Sequence, residues 1–414
     1  MIDLTTPDLY LEDIPYDTLD QLRRTPGLVW HDYPNTITGE PRGFWAVTRH
    51  ADIQYVSRHP EIFSSAIGHS NLWDLEADAL EARRSLIDSD APDHTRLRRV
   101  VSKAFTPKSL DKWEGATRDI TAHLLDEFAV RGGGDWVDLV AAPLPINVIL
   151  AILGVPRADA DFLVELSNYL VEGTGDRPSL APDAYGNVTE LRLLPFASPA
   201  SHALFEYGGR IGAERRADPR DDLVTQLVFA EIDGEKLSER EFRTFFQLIV
   251  FGGNETTRTA LSQGAIAWAN NPEQWQLLVD NPGLLDGAVE ETLRWTTPLL
   301  HMRRTAAVDT ELAGTPIKAG DKVVMWYAGA NFDPEFFPRP DQFDITRTDN
   351  LHQSFGGGGH HFCLGAYLAR MEIRVVLEQM IERGIRLEQR SQPTRIASNF
   401  VHGIASLEMS ATQA

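Results

Sequence analysis

Cys363 is the only cysteine among 414 residues. No intramolecular disulfide and no multi-cysteine zinc site can staple this chain, so its fold must rest on a packed core. The thiol follows Phe355-Gly-Gly-Gly-Gly-His360-His361-Phe362 and precedes Leu364-Gly365. Four consecutive glycines let the main chain take positive φ and approach a bulky flat object closely. Residues 364–382 read as a helix, with Leu364, Leu368, Met371, Val375 and Leu377 on or near one stripe. Cys363 is thereby placed at a helix N-terminus, where amide groups and the macrodipole favour a thiolate. A thiolate beside open glycine main chain is what a haem iron with one protein-supplied axial ligand needs. Two other uses stand beside this one: a small buried hydrophobe, or, with His360 and His361, part of a zinc site completed from far away. A phosphate cradle is disfavoured, because neither G-K-[ST] nor a strand followed by G-x-G-x-x-G is present.

The rest of the composition narrows the class. A hydrophobic share of 43% suits a chain that buries a large core. Sixty acidic against 39 basic side chains give a net charge of −21, which argues against nucleic-acid binding and favours solubility. The N-terminus shows no signal-peptide pattern, and the single cysteine suits a reducing compartment, so a cytoplasmic location is expected. The most apolar stretch, 137–156, carries Asp138, Asn147 and internal prolines and is a poor membrane span.

Helical periodicity or helix-start signals cover 96–105, 108–129, 145–153, 158–170, 221–229, 238–270, 272–280 and 284–296. Ser238 with Glu241 forms a capping-box pattern, and Pro272 and Pro282 suit first-turn positions. Strand-like pieces are short: 43–48, 310–312, 322–326 and the region around 400–407. The expected fold class is mainly α with small β-sheets, in one domain over 1–414. Clusters of Gly, Pro, Ser and Asp at 64–90 and 172–202 read as long loops, either lids or plain connections.

Two further constellations carry chemistry. The apolar run Phe245–Phe251 meets Gly252-Gly253-Asn254-Glu255-Thr256 inside the longest predicted helix. Glycines there cost about 1 kcal/mol each and permit close approach or local widening. A carboxylate beside a hydroxyl can pass protons and bond a bound oxygen species, although an incidental polar pair at a helix crossing has the same sequence. Glu291 and Arg294, three apart, share a helix face and can pair. Such a pair is worth little if exposed, but fixes geometry if buried and networked.

In this order, Gly252–Thr256, Glu291-Thr-Leu-Arg294, Asn331-Phe-Asp-Pro334 with Phe343-Asp-Ile-Thr-Arg347, and the Cys363 loop, the motifs resemble the cytochrome P450 family. Ala91-Pro-Asp-His94-Thr-Arg-Leu-Arg98, Leu144-Pro-Ile and Leu153-Gly-Val-Pro156 extend the likeness to soluble bacterial members. The resemblance implies a mainly α fold with haem b (iron protoporphyrin IX) between the long central helix and the cysteine loop. It implies Cys363 as the metal ligand, Gly365 as part of the cofactor-binding loop, and His94, Arg98, Arg304 and His361 as partners of the haem propionates. It implies Glu255 and Thr256 as the acid–alcohol pair that manages protons, and Glu291, Arg294 and Arg347 as a charge network supporting the loop. Two departures stand out. The loop has one more residue between Phe355 and Cys363 than the commonest family spacing, and Gln342 stands where arginine is frequent.

The resemblance further implies monooxygenation of a C–H bond by O2, with electrons from a ferredoxin and ferredoxin reductase, since the chain has no flavin or iron–sulfur segment. Arg96, Arg99 and Lys103 share one helical face and are a candidate docking site for an acidic partner. Local strings such as His301-Met-Arg-Arg-Thr look like relatives acting on steroids, branched lipids, terpenes or alkanes. Trp73, Leu86, Ile87, Val250, Gly252, Leu299, Leu300, His301 and Phe400 are the expected substrate-pocket residues, mostly apolar. Oxidative coupling, peroxide-driven oxidation and a non-catalytic haem sensor are the alternatives.

Overall fold

Ser238 caps a helix of 32 residues, Glu239–Asn270, through the predicted capping box: its side chain accepts from the Glu241 amide, and Glu241 Oε2 accepts from the Ser238 amide at 2.7 Å. The helix runs unbroken through Gly252-Gly253 in the computed structural model, which describes residues 3–82, 84–172 and 199–413. A Cβ at Gly253 would lie 2.4 Å from Ile149 Cδ1, so this glycine lets the helix Pro143–Leu153 pack close. A Cβ at Gly252 would meet nothing within 4 Å. One glycine serves close approach and its neighbour leaves space.

The long helix packs on Pro199–Ala217, Pro143–Leu153, Leu285–Thr296 and Ala366–Glu382. These helices enclose the largest apolar cluster, which includes Phe242, Phe246, Leu261, Leu293, Val375 and Leu377. The cysteine helix begins at Ala366 with Gly365 as its N-cap, slightly later than the sequence pattern predicts. Pro272 and Pro282 open helical turns as expected.

The largest sheet has five strands in the order Val29–Asp32, Gly43–Val47, Lys322–Trp326, His301–Ala306 and Phe63–Ser64. Lys322–Trp326 runs parallel to Gly43–Val47 and antiparallel to His301–Ala306. The expected mainly α architecture with small sheets is observed. His301–Ala306 is a strand that the sequence pattern does not predict, because Arg303 and Arg304 interrupt the apolar signal although both are buried. The 64–90 stretch contains the helix Ala77–Ala82 and the short helical turn Leu86–Asp88. Most of the 172–202 stretch lies outside the described residues, and Pro199 already begins a helix. No helix among the described residues is long and apolar enough to cross a membrane.

Candidate active site

The cysteine loop is closed by its own main chain. The Cys363 amide donates to the Phe355 carbonyl at 3.0 Å, and Gly356, Gly358 and Gly359 take φ of 90°, 88° and 77°. The glycine run presses on the helix His50–Arg58: a Cβ at Gly359 would sit 2.3 Å from the Ser57 carbonyl. The extra residue of this loop is thus absorbed in left-handed turns against a neighbouring helix. The buried Phe355 ring lies 6.1 Å from the Phe362 ring, with the Arg370 guanidinium 4.5 Å from its centroid.

Cys363 is exposed, yet burial pushes its thiol pKa up. Both hold if the thiol borders a recess enclosed by protein. The amides of Gly365 and Ala366 and the charges of Arg98 and Arg370 oppose the shift without reversing it. The two amides act as the helix N-terminus leads one to expect, but desolvation outweighs them.

Close by stands a cluster of donors without a carboxylate partner. The His94 and His361 rings lie 4.2 Å apart, and His94 stacks on His360 at 6.1 Å. Arg98 donates to the Phe362 carbonyl at 2.7 Å. Arg304 is buried and donates to the Arg303 carbonyl at 2.8 Å. Among the described residues no carboxylate reaches ion-pair distance of His94, Arg98, Arg304 or His361. Asp88 and Asp90, whose charges are felt at Arg304, are engaged by Ser70, Ser85, Ser64 and Ser65. His94 Nε2 is buried without a partner. Burial depresses His361 to about 2, with Arg304, His94, Arg98 and His360 adding to the effect; burial likewise takes His94 to about 4. Positive potential and unused donors of this kind fit a group carrying two carboxylates.

Strand alternation explains why Arg304 and not Arg303 joins this cluster. Arg303 lies on the opposite face, 3.2 Å from Asp74, which also binds Lys322 at 2.7 Å.

Across the long helix, Thr256 Oγ1 donates to the Gly252 carbonyl at 2.9 Å, one turn back, which leaves its lone pairs free to accept. Glu255 is 2% exposed, and its Oε2 has no hydrogen-bond partner. Its other contacts are Thr259 at 3.5 Å and Arg258 at 3.9 Å. Burial raises its pKa from 4.5 to about 7, against the smaller opposing effects of Arg258 and Thr259. A carboxyl balanced near neutrality can both hold and release a proton.

Behind the loop, Arg294 holds Glu291 with two 2.8 Å bonds, and both side chains are fully buried. Arg347 Nε adds a 3.2 Å contact to Glu291, and the Asp344 amide a 2.8 Å one. Gln342 contributes its carbonyl, which receives both Arg294 and Arg347. Sequence reasoning did not single out Asn331 as a connector. It bonds Thr297, Ser354 and the Gln353 amide, joining this network to the start of the cysteine loop. The Glu290–Arg370–His352 cluster was also missed. Burial pushes Glu290 up, but bonds from Arg370 and His352 outweigh it and bring it to about 2. Glu290 adjoins Glu291 in sequence, yet nothing in the pattern separates the two.

The pocket expectations divide. Trp73, Ile87 and Leu299 are half-buried, and Gly252 faces open space. Leu86 lines a cavity of about 310 Å³ with Leu97, Val101 and Phe245, rimmed by Arg96 and Glu241. That cavity does not include Cys363 or Thr256, so it neighbours the site and is not the site itself. Val250, Leu300 and His301 are sealed in the core and present no ligand surface here. His301 is wedged between Trp326 and Phe400, ring centroids 4.8 and 5.5 Å away, and burial takes it to about 3. Asn399, its polar neighbour, already donates to the Thr5 carbonyl at 2.6 Å. Phe400 is buried beside it, and its carbonyl accepts the Leu300 amide at 2.8 Å.

The cytochrome P450 family model matches residues 278–404, the segment from the charge network through the cysteine loop. A steroid C26-monooxygenase of Mycolicibacterium smegmatis is 38% identical over 100% of this chain and 94% of its own length. This chain belongs to the cytochrome P450 family. A methyl-branched lipid omega-hydroxylase of Mycobacterium tuberculosis is 40% identical over 93% of this chain and 88% of its own. The solved structure of a Mycobacterium marinum cytochrome P450 in complex with pseudoionone superposes with a TM-score of 0.86 at 36% identity, covering 99% of this chain and 98% of that one. As a P450, the protein is a haem-iron monooxygenase, and the donor cluster and cysteine loop fit that cofactor.

Proposed function

We propose that this P450 hydroxylates a C–H bond of a steroid or methyl-branched lipid, using haem b and electrons from a ferredoxin and its reductase. The observation that carries the site assignment is the cluster of His94, Arg98, Arg304 and His361, none of them paired with a carboxylate among the described residues, beside the only cysteine. In this reading those four residues hold the two propionates, Cys363 ligates the iron, and Gly365 lets the loop turn into its helix. Haem, when bound, supplies reductive activation of dioxygen. Thr256 orients a hydroxyl over the open space at Gly252. Glu255, poised near neutrality, passes protons toward it. Glu291, Arg294 and Arg347 hold the main chain that carries the loop and touch no substrate.

The substrate class rests on the relatives' activities and on the apolar side chains of the half-buried Trp73, Ile87 and Leu299. The docking expectation for the redox partner narrows. Arg96 is paired with Glu241 and Arg99, itself exposed, with Asp233, which leaves Lys103 as the exposed cation of that face without an ion pair among the described residues. We place the enzyme in a reducing compartment, the cytoplasm, as one domain spanning 1–414.

Reconstitution with ferredoxin, reductase and 18O2 over a hydrophobic library tests the proposal. The expected product is a steroid or branched lipid carrying one labelled oxygen, with a haem spin-state shift on binding. Turnover confined to small polar compounds would overturn the substrate class.

A further inference from the structure

His402 is buried at the far end of the chain, yet it is bonded on every polar atom. Its amide donates to the Pro298 carbonyl at 3.0 Å, and its carbonyl accepts Gln263 Nε2 of the long helix at 2.8 Å. Nδ1 lies 3.1 Å from the Thr296 carbonyl; Nε2 lies 3.1 Å from Asp13 Oδ1 and 3.0 Å from Arg395 Nη1. A carbonyl can only accept, so Nδ1 carries the proton. Nε2 then accepts from Arg395 when the ring is neutral and donates to Asp13 when it is charged. The ring is held in both states, and the tether does not depend on which one is populated.

The next residue, Gly403, lies against the proposed proton-handling acid. A Cβ at Gly403 would be 3.5 Å from Glu255 Oε1 and 2.9 Å from Ile396 Cδ1, and the Gly403 carbonyl accepts the Ile396 amide at 3.1 Å. Glu255 Oε2 accepts no hydrogen bond, and Arg258 Nη1 lies 3.9 Å from it. The main chain tied down by His402 thus packs against the buried carboxyl, with Arg258 and Thr259 of the long helix also in contact with it.

We propose that His402 is a positioning residue: by tying Asp13, Arg395, Thr296 and Gln263 together it presses the Gly403 main chain onto Glu255 and keeps water from the carboxyl. Its functional meaning rests on Glu255 being the proton-handling acid. Its structural content can be read without turnover.

The test is infrared titration of the carboxyl band of Glu255 in the ferric holoprotein, assigned by its loss in Glu255→Gln. His402→Ala loosens this packing and lowers the midpoint by about one pH unit, a tenfold change in acidity. Gly403→Ala adds a methyl facing the carboxyl and moves the midpoint the other way. His402→Gln, which can donate and accept at the ring's position, restores most of the wild-type value. Opposite shifts in the two alanine variants cannot come from a general loss of stability. If both move the midpoint in one direction, or neither moves it, the proposal is overturned; should His402→Ala fail to fold, Gly403→Ala and His402→Gln decide it. A shifted band with unchanged product yield would leave the positioning role standing and remove Glu255 from proton delivery.

Discussion

Arg294 grips Glu291 through Nε and Nη2, each at 2.8 Å from a carboxylate oxygen, and neither side chain reaches water. Removing one partner strands the other charge in the core. Glu291→Gln or Arg294→Leu is expected to cost about 3–5 kcal/mol, read as a lower urea midpoint of the holoprotein. A change within the error of the measurement would mean that the network is dispensable.

The two neighbouring arginines of strand His301–Ala306 give a contrast. Arg304→Leu removes a buried cation from the carboxylate-free cluster and is expected to speed haem loss to apomyoglobin at least about tenfold. Arg303→Leu breaks the contact with Asp74 and leaves haem loss near the wild-type rate. Equal effects would remove Arg304 from its proposed role.

Much of this was legible in the sequence, and the pattern of what was not is physical. The long helix, its capping box and the strand Lys322–Trp326 follow from local chemistry, because the signals lie within a few residues of the structure they set. The motif residues His94, Arg98, Arg304 and His361 were nameable, and the fold brings them together. The strand His301–Ala306 was hidden by two buried arginines, whose compensation comes from distant loops. His402 meets Asp13 across 389 positions, a contact no local pattern can announce. Val250 and Leu300 carry the apolar signature of a pocket, and core residues carry the same one; His301, expected as a polar contact, is buried between two rings.

Glu255 makes stability depend on pH. Its pKa is raised on folding from 4.5 to about 7. The unfolded chain therefore loses this proton first as pH rises. The stabilisation is complete below about 4.5 and is lost as pH passes through 7. Glu255→Gln does not titrate, so relative to wild type it should gain up to about 3 kcal/mol between pH 5 and pH 8. Urea unfolding at the two pH values measures the difference, and a constant difference would contradict the burial argument.

On the expected docking face, Lys103 is exposed, whereas Arg96 and Arg99 are engaged. Lys103→Glu is expected to slow reduction by a ferredoxin at low ionic strength, with the effect fading as salt screens it. Stopped-flow reduction across a salt series reads this directly; a salt-independent effect, or none, would move the docking site elsewhere.

The proposed role of Cys363 as the proximal thiolate ligand of a haem is read out by the absorption spectrum of the reduced, CO-bound protein. The expected result is the red-shifted Soret band of thiolate-ligated haem in the wild type and its loss in Cys363→Ser at comparable haem content. The same red-shifted band in both proteins would contradict the assignment of Cys363.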